Sequence, residues 1–213
     1  MNLQDKLTGF AMMGAGWVMW LLVGLSVGGL AVALDRAIYL LRTSDDVRRL
    51  KADLLSFLRR GDVAGARARL AASRSVEAQM AGAGLESPAD GAAAAEERIA
   101  GATQDARLRM ERRLAFLGTL GNNAPFVGLL GTVIGIIRAF HELNDAGGKV
   151  TAGLMAQVGE ALVATAIGIL VALPAIASFN AFQRIIKARL ARGEALGREV
   201  MAHLKAQRGA PAA

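Results

Sequence analysis

The run V-G-E-A-L-V-A-T-A-I-G-I-L-V-A-L-P-A-I, Val158–Ile176, decides the fold of this chain. It is almost wholly apolar and long enough to cross most of a bilayer. Within it stand one carboxylate, Glu160, and one hydroxyl, Thr165. Leaving an unpaired charge in hydrocarbon costs several kcal/mol, so an acid at this place needs a partner, a hydrated path or a bound proton.

Outward from that run, three segments meet the length of roughly 20 predominantly apolar residues that a membrane helix needs. The first begins at about Phe10 or Gly16 and ends at Leu34, before Asp35-Arg36; the second covers about Phe116–Phe140; the third covers about Leu154–Phe179 with Glu160 as its only charge. The composition agrees: 54% of residues are hydrophobic, mean hydropathy is +0.37, aromatics are 5%, and there are 25 glycines. Small residues of this kind let membrane helices approach closely. A β-sandwich does not fit this composition. The sequence predicts an all-α membrane protein of three transmembrane helices with extended cytoplasmic helices. A signal peptide is the rival reading of the first segment, with Ala31-Val32-Ala33 as cleavage site. Its apolar run is longer than a signal core, and Asp5 offsets Lys6 in the leader.

Charge sets the expected direction. Fourteen Lys and Arg lie from Arg42 to Arg113 and seven from Arg184 to Arg208, whereas His141–Gly153 holds only Lys149. The positive-inside rule then puts the long loop and the tail in the cytoplasm, N-terminus out and C-terminus in. The expected order is a periplasmic N-terminus and first span over 1–41, a cytoplasmic helical region over 42–113, and the second span over 114–141. A short periplasmic connection over 142–153, the third span over 154–179 and a cytoplasmic C-terminal helix and tail over 180–213 complete it. In the loop, Val47, Leu50, Leu54, Phe57 and Leu58 form one stripe behind a cap at Asp45 or Asp46. Val63–Ser73 reads as a second helix and Gly82–Gly91 as a loop. Ala92–Arg113 reads as a helix running straight into the second span. Leu196, Val200 and Leu204 repeat every four residues in the tail.

The net charge of +7 is absorbed by this loop bias, and nucleic acid is not expected as a partner. Cysteine is absent, which excludes a disulfide framework. His141 and His203 have no ligand spacing around them. Gly128-x-x-Gly131 lacks the lysine and the strand-to-helix setting of a phosphate loop. With no nucleophile–base pair, metal cluster or nucleotide loop, an enzyme is the least favoured class.

The second span, G-N-N-A-P-F-V-G-L-L-G-T-V-I-G-I-I (Gly121–Ile137), carries Gly121, Gly128 and Gly135 at intervals of seven, with Ala124, Gly131 and Thr132 nearby. This seam suits close helix packing, and Pro125 removes a backbone donor and is expected to bend the helix. In the third span Glu160, Ala164, Gly168 and Ala172 are spaced by four, with Pro174 beyond. Thr165 is turned by roughly 140° from Glu160. Thr132 and Thr165 fall at nearly one depth, so two hydroxyls can form a polar belt near the membrane centre. The plain alternatives are threonines bonded to their own helix carbonyls, and a protonated Glu160 bonded to a neighbouring helix.

A-P-F-V-G-L-L-G-T-V-I-G-I-I (Ala124–Ile137) and E-A-L-V-A-T-A-I-G-I-L-V-A-L-P-A-I-A-S-F-N (Glu160–Asn180) resemble the ExbB/TolQ/MotA proton-channel family, its ExbB branch most of all. The Gly-Thr pair, glutamate, threonine, proline and asparagine fall in the family's order. Asp35-Arg36 and the E-R-R-L of Glu111–Leu114 also fit. The resemblance implies a pentamer around a dimer of a single-span, ExbD-like partner with a membrane aspartate. It implies an inner (cytoplasmic) membrane location, no cofactor beyond protons as coupling ion, and work at the cell envelope. The load is TonB-linked uptake with a TonB-like protein, Tol-Pal maintenance, flagellar rotation or gliding. Thr132 and Thr165 match the pore threonines and Glu160 the intramembrane glutamate. A non-conducting membrane scaffold remains the alternative from another class.

Overall fold

The computed structural model describes Gly14 and residues 16–209. The other candidate start of the first span, Phe10, and the leader charges Asp5 and Lys6 lie outside the described residues. The described chain is all-helical. Its long helices are α1 (Gly16–Arg42), α6 (Leu114–Asp145) and α7 (Ala152–Gly209), and three helices are long and apolar enough to cross a membrane. Between α1 and α6 lie α2 (Val47–Arg59), α3 (Val63–Ala71), α4 (Val76–Ala83), a 3-10 turn at Pro88–Asp90 and α5 (Ala92–Glu111). The chain divides into two compact units.

The first unit comprises Met1–Leu34 and Arg113–Asn180. It packs α1, α6 and the first half of α7 around Val18, Leu22, Leu120, Ala124, Ile134, Val171, Ala172 and Ala175. Several of these are alanines, which keeps the helices near one another. The large apolar side chains point the other way. Trp20, Val27, Leu30, Phe126, Leu129, Leu162, Leu170 and Leu173 are all more than half exposed. A water-soluble unit does not carry such a coat; hydrocarbon or neighbouring helices must cover it.

The second unit comprises Asp35–Arg112 and Ala181–Ala213. Leu50, Leu54 and Leu58 of α2 are buried with Leu70, Leu85, Ala95 and Ile99, and the tail of α7 adds Leu196, Val200, Met201 and Leu204. The stripe of α2 and the fourfold repeat in the tail are thus two sides of one core. Local caps fix the short helices. Asp46 accepts from the amides of Arg48 (3.0 Å) and Arg49 (3.3 Å). Asp62 accepts from Gly65 (2.7 Å), and Ser75 from Ala78 (3.1 Å). Each satisfies an amide that the first helical turn leaves open. Ser73 donates its hydroxyl to Asp45 (2.5 Å), which holds that carboxyl below its usual range.

Arg189 of α7 is buried and closes the end of α1. It donates to the carbonyls of Leu40 (2.7 Å) and Thr43 (3.2 Å) and to Thr43 Oγ1 (3.0 Å). A cation at a helix C-terminus meets the partial negative charge of its open carbonyls. Arg36, also buried, pairs with Asp35 (2.8 Å) and donates to the carbonyl of Arg109 (3.1 Å).

The structure corrects two sequence readings. The stretch before Gly82 holds a further helix, α4, whose end takes in Gly82 and Ala83. Its alanine- and glycine-rich sequence has little amphipathic signal. α5 does not run into α6: Arg112 is extended (ψ 130°) and Arg113 adopts left-handed φ 64°, so one helix ends and another begins. A left-handed residue cannot continue a right-handed helix. The third apolar span and the C-terminal helix, expected as successive segments, form one helix of 58 residues.

Candidate functional site

The site forms where α6 crosses α7 within the first unit. At Gly128 an added Cβ would lie 2.8 Å from the carbonyl oxygen of Ala164 and 3.2 Å from Cα of Gly168. At Gly168 it would lie 2.7 Å from the carbonyl of Ala124 and 3.0 Å from Cα of Gly128. Backbone meets backbone here, and no side chain fits between. An added Cβ at Gly131 would meet the side chains of Ala164 and Val18, and one at Gly135 would lie 3.2 Å from Cα of Ala161. At Gly121 an added Cβ would lie 3.1 Å from the backbone nitrogen of Ile176.

This close crossing brings Thr132 and Thr165 together. Their hydroxyls hydrogen-bond to each other. Thr165 also reaches the carbonyl of Gly128 (3.1 Å), and Thr132 reaches Gly128 and Ala161 (3.3 Å each). One of these bonds, Thr132 to Gly128, is the same-helix bond of the plain alternative; the others cross between helices. Both side chains are half-buried. The result is a knot of four oxygens inside an apolar pair of helices.

Glu160 does not join that knot. Its carboxylate lies toward the start of α1, where Oε1 would be 3.7 Å from a Cβ on Gly16. It is half-buried, and among the described residues no hydrogen-bond or ion-pair partner meets it. The angular offset from Thr165 accounts for the separation. Pro125 and Pro174 stand inside α6 and α7, which stay helical through both. Each deprives the carbonyl four residues earlier of its usual donor.

One polar group escaped the sequence reading. Glu142 was assigned to the connection after the second span, yet α6 continues to Asp145. Glu142 therefore faces α7 and accepts from Thr151 (2.7 Å) and from Gln157. Its four-residue spacing from Arg138 was the available signal.

A small-residue crossing, a hydroxyl pair and a half-buried acid thus lie in helices long and apolar enough to cross a membrane. A profile of the MotA/TolQ/ExbB proton channel family matches residues 72–195, more than half of the chain, and the chain belongs to that family. It is similar to an ExbB-like biopolymer transport protein of Helicobacter pylori, 46% identical over 77 residues, 36% of this chain and 51% of that protein. The biopolymer transport protein ExbB of Aquifex aeolicus is 38% identical over 87 residues, 41% of this chain and 59% of the relative. The Tol-Pal system protein TolQ of Pseudomonas aeruginosa is 42% identical over 74 residues, 35% of this chain and 32% of the relative. The matched part thus spans at most about three-fifths of these relatives.

Proposed function

We propose that this chain is the ring-forming proton-channel subunit of a motor in the bacterial inner membrane. Five copies enclose a dimer of a single-span, ExbD-like partner and convert proton motive force into mechanical work. The N-terminus lies outside and the C-terminus inside, as the basic residues of the second unit favour. The load is TonB-type energy transduction for outer-membrane transport, through a TonB-like protein; the ExbB names among the relatives support this. The single observation that carries the reading is the Thr132–Thr165 hydroxyl pair, held on the Gly128–Gly168 crossing within apolar helices.

The chemistry follows from what those groups can do. A hydroxyl both donates and accepts, so the pair can hydrogen-bond a partner carboxylate, protonated or not. Glu160 can take up and release a proton inside a region where water is scarce. Membrane lipid and neighbouring copies cover the apolar coat. The TolQ relative favours a second load, the Tol-Pal system, and a gliding motor is a further alternative; neither changes the mechanism. A non-conducting scaffold is the reading from a different class.

Co-expression with the genomic neighbours, native mass spectrometry and proton flux in liposomes test this together. The expected result is a pentamer holding two single-span chains that passes protons. Glu160→Gln keeps shape and assembly and reduces flux by about a hundredfold, the scale of a positioned proton-transfer group. An assembled Glu160→Gln complex with wild-type flux, or a monomer or dimer that retains no partner, rejects the motor.

A further inference from the structure

Glu142 is seated with unusual care for a residue near a helix end. Its Oε1 accepts from Thr151 Oγ1 (2.7 Å), and its Oε2 accepts from Gln157 Nε2. Thr151 Oγ1 in turn accepts from the amide of Leu154 (3.1 Å), so the same hydroxyl caps α7. Gly153 leaves the room: a Cβ there would be 3.1 Å from the carboxyl carbon of Glu142. A side chain at 153 would push the acid out of its seat.

The other end of Gln157 is open. Its Oε1 is buried and meets no donor among the described residues. An unmet amide oxygen away from water is costly, so this position calls for a donor such as a water molecule. Glu160 and Ala161 follow three and four residues later on the same face of α7. The carbonyl of Ala161 accepts from Thr132 (3.3 Å). Gln157 and Glu160 are three residues apart on α7, an axial rise of about 4.5 Å. A single water making two hydrogen bonds bridges about that distance.

We propose that Glu142 is the proton-receiving group at the outer end of the path and that Gln157 relays toward Glu160 and the threonine pair. This rests on the proton-channel reading and orientation above. The Glu142 carboxylate takes a proton from outer water and becomes the acid. It releases that proton through water bonded to Gln157 Oε1 to the Glu160 carboxylate, and returns to its ionised form. The charged residues nearest Glu142 in sequence are Arg138, His141 and Asp145 on α6, with His141 and Asp145 3.8 Å apart, and Lys149 in the connection. α7 faces it with Thr151 and Gln157, then Glu160.

The competing explanation is a clamp that merely ties α6 to α7. Flux through the complex with its single-span neighbour, reconstituted in liposomes and driven by a pH gradient, separates the two. Glu142→Gln, close in shape, is expected to lower inward flux about tenfold and flatten its dependence on outer pH, with the assembled mass unchanged. Glu142→Asp keeps a carboxylate but shortens the reach, and is expected to restore most of the flux; a clamp predicts it to be as poor as the glutamine. Wild-type flux in Glu142→Gln beside a dead Glu160→Gln overturns this inference alone. Loss of the assembled mass in both Glu142 variants also overturns it, in favour of the clamp. Absence of flux in the wild-type complex overturns the channel reading and this inference with it.

Discussion

Thr132 and Thr165 share two hydroxyl protons among four oxygens. If Thr132 donates to Thr165, Thr165 donates to the Gly128 carbonyl. If Thr165 donates to Thr132, Thr132 donates to Gly128 or Ala161. Both arrangements use the same heavy-atom positions, so switching needs only two hydroxyl rotations. A carboxylate arriving nearby would select one order and a carboxylic acid the other. Thr132→Val keeps the shape and removes one member. It should cost the folded unit only about 1 kcal/mol. On the motor reading it should reduce proton flux far more than that, while Thr132→Ser retains it. Thermal melting of the purified complex beside flux measurements shows whether the two effects separate. The hydroxyls were legible in the sequence as two polar exceptions at one depth. Their direct bond was not, because it depends on a helix crossing that no spacing within one helix reveals.

α6 and α7 meet through glycines, and the energetics of that contact belong to the helices as wholes. Gly168→Ala places a methyl group 2.7 Å from the Ala124 carbonyl and 3.0 Å from Cα of Gly128. Neither is a flexible side chain, so the helices themselves must separate. Overpacking of this kind costs about 1–3 kcal/mol. The expected outcome is a lower melting temperature together with lost flux, since the threonine bond opens as well. Gly159→Ala is the control, because nothing lies near a Cβ there. At the other end of α1, Arg189→Ala removes three charge-assisted bonds, two to the carbonyls of Leu40 and Thr43 and one to the Thr43 hydroxyl. A loss of about 2–3 kcal/mol is expected, read as faster hydrogen exchange at the end of α1. Periodicity made α2 and the tail legible, since each shows one face to a core. The same method passed over α4, an element of eight residues dominated by small side chains. It also carried α5 through Arg112 and Arg113, because nothing in E-R-R-L marks a left-handed residue; glycine or asparagine would have done so.

At the scale of the whole molecule, composition and hydropathy were enough for an all-helical chain with three helices of membrane length. They were not enough for the seat of Glu142, where both bonding partners come from beyond a turn. The second unit draws its core from two distant stretches, residues 35–112 and the tail. A chain ending after Glu194 lacks Leu196, Val200, Met201 and Leu204. Losing four such side chains withdraws about 6–12 kcal/mol of burial, comparable to the full stability of an ordinary domain. Limited proteolysis of the truncated protein in membranes should cut within α2–α5, where the full-length chain resists.

That divided core also fixes an order of events during synthesis. When the ribosome has made α5, the inner faces of α2 and α5 are already present, and their covering strip is still about 85 residues from being translated. Two membrane helices have to be made in the interval. At translation speeds of about 5–20 residues per second, Leu50, Leu54 and Ile99 wait for several seconds without their partners. On the orientation proposed above, they present an apolar groove to the cytosol during that time, and newly made chains are expected to bind a chaperone until the last helix emerges.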